Sequence, residues 1–214
     1  MIKAILFDFD GVIAESVDIK TNAFAALFES EGQDVVNRVV DYHLSNTGVS
    51  RYEKFKHIYK QIFKRPLNQG EFQTLCDKFS KIVVDEVIKS PYVKGMKEFL
   101  ENCASKYRCF VLSATPQDEI EKIIERKNIR IFFRAIYGAP IKKSDAVRDI
   151  LNKEALDPVE VLYIGDSMSD YIAAKENSVN FIARINKNES IFADAENCTK
   201  IEDLTNLNEI LEAL

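Results

Sequence analysis

The chain has 214 residues, 46% of them apolar and 29% charged, with a net charge of −5. That length allows a sizeable core plus a large insertion, and the composition is that of an ordinary globular protein. The acidic balance argues against nucleic acid or an anionic membrane as partner, and no run is apolar and long enough to span a bilayer. Met1-Ile2-Lys3 leads straight into a predicted strand with no cleavable signal, so the expected location is the cytoplasm.

The first predicted element is a strand in Lys3–Val12, where the apolar run Ile5-Leu6-Phe7 ends in Asp8, Asp10 and Gly11. A short continuous apolar run suits a parallel strand covered on both faces. Asp8 and Asp10 stand two apart, so an extended backbone points both carboxylates the same way, and anions that close share a proton or a cation. Gly11 permits a sharp turn past the strand's carboxyl end, where open parallel sheets place their ligands.

From Glu15 to about Ser90 the pattern predicts helices and no strand. Apolar residues at helical spacing mark Val17–Ser30 and Val35–Leu44, and Ser45 to Gly48 reads as a loop. Ser50 with Glu53 gives the start of a third helix running to a break at Pro66, and a fourth begins near Asn68. His43 and His57 fall in this stretch, and a lone helical histidine reads as structural. Cys76, Cys103, Cys109 and Cys198 are scattered, which indicates neither a zinc site nor a disulfide framework.

From Pro91 the pattern alternates. A helix near Val93–Leu100 precedes a strand at Cys109–Leu112, and Ser113 to Pro116 ends it before a helix over Gln117–Arg126. A strand near Ala135–Tyr137, a helix over Asp145–Lys153, a strand at Val161–Ile164 and a helix from near Ser169 follow. Phe181-Ile182-Ala183 is the last predicted strand and Leu204–Leu214 the closing helix. This alternation predicts a parallel α/β sheet with right-handed crossovers.

Three later strand ends match the opening pair. Ser113 before Pro116 offers a hydroxyl and helix-start amides to an anion. Lys142 and Lys143 follow Gly138-Ala139-Pro140, and one of them suits the neutralisation of a phosphate or carboxylate. Asp166 and Asp170 follow Gly165. Gathered at one sheet edge, the four carboxylates call for a hard cation with oxygen ligands, most naturally Mg²⁺, and suit phosphoryl transfer through a carboxylate nucleophile.

Asp8-Phe9-Asp10-Gly11-Val12, Ser113, Lys143 and Gly165-Asp166-Ser167-Met168-Ser169-Asp170 resemble, in order and setting, the motifs of the haloacid dehalogenase superfamily, mostly phosphohydrolases. The resemblance implies a Rossmann-like parallel core at residues 1–14 and 91–214 with an α-helical cap domain inserted at 15–90. It implies Asp8 as nucleophile, Asp10 as acid/base, Ser113 as phosphoryl ligand and Lys143 as the steadying cation. Mg²⁺ would lie on Asp8, Asp166 and the Asp10 carbonyl, with Asp170 supporting. An acid at position 10 argues against dehalogenation, in which the halide leaves without a proton.

Thr47-Gly48-Val49-Ser50-Arg51 is similar to a cap segment of the beta-phosphoglucomutase branch, which implies Arg51, with Lys54, as a grip on a distal anionic group of the substrate. Thr47 and Lys20 depart from that branch. The expected function is Mg²⁺-dependent hydrolysis of a small phosphorylated metabolite, with Lys20 and Gly11 as further substrate-side candidates. A phosphomutase or a non-catalytic metabolite-binding protein is the alternative, and oligomeric state stays open. Turns at Ala14-Glu15 and Ser90-Pro91 are the expected hinges of cap closure.

Overall fold

The computed structural model describes residues 1–185, 192, 195 and 198–213. Six parallel strands form one sheet: β1 (Ala4–Phe7), β2 (Arg108–Pro116), β3 (Ala135–Ala139), β4 (Val161–Gly165), β5 (Asn180–Arg184) and β6 (Thr199–Ile201). Their order is β3-β2-β1-β4-β5-β6, so the chain winds outward in both directions from β1. In register, Phe7 stands opposite both Val111 and Ile164.

Strand β1 is buried along its whole length and its residues alternate between two cores. Ala4 and Leu6 face one layer, where α7 (Lys143–Glu154) contributes Ala146, Val147 and Ile150, and α8 (Met168–Glu176) contributes Ala173 and Ala174. Ile5 and Phe7 face the other, built from α5 (Met96–Asn102), α6 (Gln117–Arg126) and α9 (Leu207–Ala213). Burial on both faces is what an uninterrupted apolar run requires.

The predicted helical stretch is α1 (Val17–Leu27), α2 (Gln33–Leu44), α3 (Arg51–His57) and α4 (Gln69–Lys89), with a π-helical turn at Ile58–Ile62. The Ser50 hydroxyl accepts from the Glu53 N–H at 3.4 Å, and Asn68 and Glu71 form a reciprocal cap that starts α4. Phe24, Phe55 and Phe79 meet at its centre, with ring centroids 4.8–6.2 Å apart. The two connections to the sheet run side by side: the Glu15 N–H donates to the Pro91 carbonyl at 3.0 Å, and Ala14 bridges to Tyr92.

Two predicted boundaries change. Val17–Ser30 ends as an α-helix at Leu27 and finishes in a 3₁₀ turn, Glu29–Glu31. The Phe181 strand is not the last, because β6 pairs beyond it. Thr199–Ile201 has three residues and no buried run, so neither length nor alternation marks it. Leu214, the predicted end of the closing helix, lies outside the described residues. No helix among the described residues is long and apolar enough to cross a membrane.

Candidate active site

Asp8 is the first residue past β1 and is 3% exposed. Its neighbours follow from register, since β2 and β4 flank β1 and bring Ser113 and Asp166 to the same carboxyl edge. Asp8 Oδ1 accepts from the Phe9 N–H at 2.7 Å, and Oδ2 lies 2.9 Å from Lys143 Nζ. Lys143 opens α7 and is buried, whereas Lys142 is exposed, so Lys143 is the lysine that reaches Asp8.

Lys143 also donates to Asp170 Oδ1 at 2.6 Å. Tyr163 donates to that same oxygen at 2.6 Å, and the Ser167 N–H and hydroxyl donate to Oδ2 at 3.1 and 2.5 Å. Four donors fill a carboxylate's acceptor positions, so Asp170 orients Lys143 and the β4 turn and has no vacant position for a ligand. Asp166 has no hydrogen-bonded partner among the described residues. A Cβ on Gly11 would lie 2.1 Å from Asp166 Oδ2, and Gly11 sits at φ +78, so glycine is needed there for both space and backbone conformation. Gly11 makes room for Asp166 and does not itself line the cleft.

Carboxylate oxygens of Asp8, Asp166 and Asp170 lie within 4.8 Å of one another. Burial, then Asp170, pushes the Asp8 carboxyl up to about 7 against the pull of Lys143. Burial, then Asp8, raises Asp166 well above the carboxylate range. Burial works to lower Lys143, but Asp170 and Asp8 prevail and hold it above an ordinary lysine. Two carboxylates that resist ionising together, with oxygen donors only, fit a hard divalent cation held by Asp8 and Asp166.

Asp10 is treated differently. Burial favours its neutral form, but Lys20 forms an ion pair with Oδ2, and the carboxyl ends below its ordinary value. Ser16 donates to Oδ1 at 2.6 Å, and Thr115 lies 3.3 Å from Oδ2 while accepting from Lys20 at 2.7 Å. Ser113 is 2% exposed and its hydroxyl accepts from the Thr115 N–H at 3.1 Å. Ser16 and Thr115 were invisible in the sequence, since lone hydroxyls carry no spacing signal.

Above this edge the helical block closes a cleft lined by Asp8, Asp10, Lys20, Thr115 and Asp166 below and by Phe24, His43, Thr47, Arg51, Lys54 and Phe79 above. Contacts between block and sheet layer are close. Ser169 donates to the Gly48 carbonyl at 3.1 Å, and a Cβ on Gly48 would lie 2.0 Å from that hydroxyl. Arg51, read from sequence as a grip on a distal anion, instead donates to both oxygens of Glu119 on α6 at 3.1 and 2.5 Å. Ser80 on α4 joins the same carboxylate at 2.5 Å. His43, read as structural, is a wall of the cleft, with Nδ1 2.9 Å from Lys54 Nζ.

The fold and this edge define a parallel α/β protein whose candidate site lies at the switch point of the sheet. Residues 5–184 match the haloacid dehalogenase-like hydrolase family, and the chain belongs to it. It is 25% identical over 177 residues to a phosphoglycolate phosphatase of Synechococcus elongatus, covering 81% of this chain and 79% of that one. It is 26% identical over 186 residues to a phosphorylated carbohydrates phosphatase of Thermotoga maritima, covering 84% and 83%. Among solved structures, CbbY from Rhodobacter sphaeroides in complex with phosphate superposes with a TM-score of 0.74 at 19% identity, over 97% of this chain and 96% of that one.

Proposed function

We propose that the protein is a Mg²⁺-dependent phosphatase of a small phosphorylated metabolite, working through an aspartyl-phosphate intermediate. The observation that carries this reading is one sheet edge on which Asp8 and Asp166 meet Lys143 while Asp10, two residues on, stands beside Lys20. Asp8 is buried against Lys143 and other acids, while Asp10 is held by Lys20, Ser16 and Thr115. The phosphatase names of the two relatives support the same class.

In this reading Asp8 attacks phosphorus as the bond to the leaving oxygen breaks, and Asp10, ionised beside Lys20 in the free protein, relays to that oxygen the proton that the phosphomonoester monoanion brings. Water then attacks the aspartyl phosphate, Asp10 takes its proton, and phosphate leaves with Asp8 restored. Lys143 and Ser113 stabilise the phosphoryl oxygens. A divalent cation on Asp8 and Asp166 would supply charge neutralisation between nucleophile and phosphate. The helical block, residues 15–90, acts as a cap over residues 1–14 and 91–214, with the Glu15 and Pro91 connections as its hinge. The phosphomutase alternative would need Arg51 for a second phosphate, and that guanidinium is paired with Glu119, which favours the phosphatase.

The test is phosphate release from p-nitrophenyl phosphate and a panel of phosphorylated metabolites, with and without EDTA. Asp8→Asn is expected to lower kcat by about 10³-fold or more. Metal-independent turnover, or full activity in Asp8→Asn, would overturn the reading, and an isomerised sugar phosphate as product would replace it with the mutase.

A further inference from the structure

Three cations of the helical block line the cleft: Lys20, Arg51 and Lys54. Lys20 is paired with Asp10 and Arg51 with Glu119. Lys54 is 2% exposed and, among the described residues, has no carboxylate partner. Its contacts are neutral: His43 Nδ1 at 2.9 Å, the Thr47 carbonyl at 3.4 Å and the face of Phe24 at 5.5 Å. Burial pulls its amine down to about 7, so near neutral pH it holds a full charge only where something supplies an opposite one.

His43 adds a second sign of an incomplete site. It is 3% exposed, and its Nε2 is buried without a hydrogen-bond partner. Burial, then Lys54, pulls the imidazole down to about 2, so the ring is neutral. A neutral ring that accepts from Lys54 at Nδ1 carries its proton at Nε2. The pair therefore presents N–H donors and no matching acceptor. Few buried polar atoms in native proteins are left so, and each calls for an explanation.

We propose that Lys54, held in place by His43, binds a carboxylate of the substrate, so that the substrate is a compact phosphorylated carboxylic acid. This rests on the phosphatase reading of the same cleft. One ammonium beside a neutral imidazole balances a single negative charge, whereas a distal phosphate dianion calls for a further cation, and Arg51 is engaged by both oxygens of Glu119. Lys54 and the acids Asp8, Asp10 and Asp166 line one and the same cleft. The apolar part of that cleft's lining is Val17, Phe24, Val49 and Phe79. Lys54 touches the substrate in this assignment, and His43 is a positioning residue.

The test compares phosphoglycolate with ethyl phosphate, which has a methyl group in place of the carboxylate. The wild-type protein should favour phosphoglycolate by about tenfold or more in kcat/KM, and Lys54→Met should reduce that ratio by a similar factor, mainly through KM. His43→Gln, whose side-chain oxygen still accepts from Lys54, should keep more of the preference than His43→Ala. Because Lys54→Met risks misfolding, calorimetric titration of both esters into the wild-type protein gives an independent reading. If neither ester turns over, the phosphatase reading fails. The titration then still decides, with phosphoglycolate bound about tenfold tighter supporting the carboxylate site. Equal use or equal binding of the two esters, no binding of phosphoglycolate, an unchanged ratio in a folded Lys54→Met, or a preference for ethylene glycol bisphosphate would each overturn it.

Discussion

Lys20 decides how Asp10 ionises. Without the lysine, burial on that carboxyl is opposed only by the Ser16 and Thr115 hydroxyls and the more distant Lys143. Lys20→Met is therefore expected to move the limb of the kcat/KM pH profile governed by Asp10 to higher pH, by about 1–3 units, the usual effect of an adjacent opposite charge. An unmoved profile in a folded variant would contradict this. The stability sign follows from the same pair. Asp10, lowered in the folded state, contributes stability that is present above the ordinary carboxylate value and lost as pH falls through its folded value. Lys20→Met should remove that contribution, which thermal unfolding at pH 7 would detect.

At the scale of elements, α3 and α4 are tied to α6 through Arg51, Ser80 and Glu119. The Arg51 side chain is 4% exposed and its guanidinium lies over the ring of Phe79 at 4.5 Å, so truncating its partner strands a charge in an apolar setting. Breaking such a pair from one side costs about 3–5 kcal/mol when the survivor stays buried. The helical block can instead lift and rehydrate Arg51, which makes opening the cheaper response. Glu119→Ala is thus expected to raise hydrogen exchange in α3 and the first half of α4 well before global unfolding. Arg51→Met combined with Glu119→Met should reverse most of the effect, because neither charge is then left alone. Exchange confined to the sheet, or a double variant as perturbed as the single one, would contradict this.

For the whole molecule, the winding of the sheet outward from β1 gathers acids from residues 8, 166 and 170 at one edge, and the crowding keeps Asp8 and Asp166 from ionising together. Asp8 and Asp166 are both raised in the folded state without metal. The folded protein then holds more protons than the unfolded chain between the ordinary carboxylate value and about 7, so its stability falls as pH rises through that window. A divalent cation competes with those protons. The increase in Tm on adding Mg²⁺ should accordingly be larger at pH 8 than at pH 5, and equal increases at the two values would contradict the proposed ligand pair.

The sequence by itself determined the alternation of strands and helices, the insertion after β1 and the strand-end acids. These depend on local properties: apolar runs, helical spacing, and glycine beside carboxylate. It named Asp8, Asp10, Ser113, Lys143, Asp166 and Asp170, and the tertiary structure brings all six to one edge. Only the tertiary structure decided how the helical block's cations are paired. Arg51 meets Glu119 across 68 positions and Lys54 meets His43 across 11, pairings that no periodicity encodes. It also gave Asp10 its hydroxyl neighbours Ser16 and Thr115, and it found β6, whose three residues are too few to carry a pattern. Local chemistry is written in neighbouring residues, whereas which charge answers which depends on how distant segments pack.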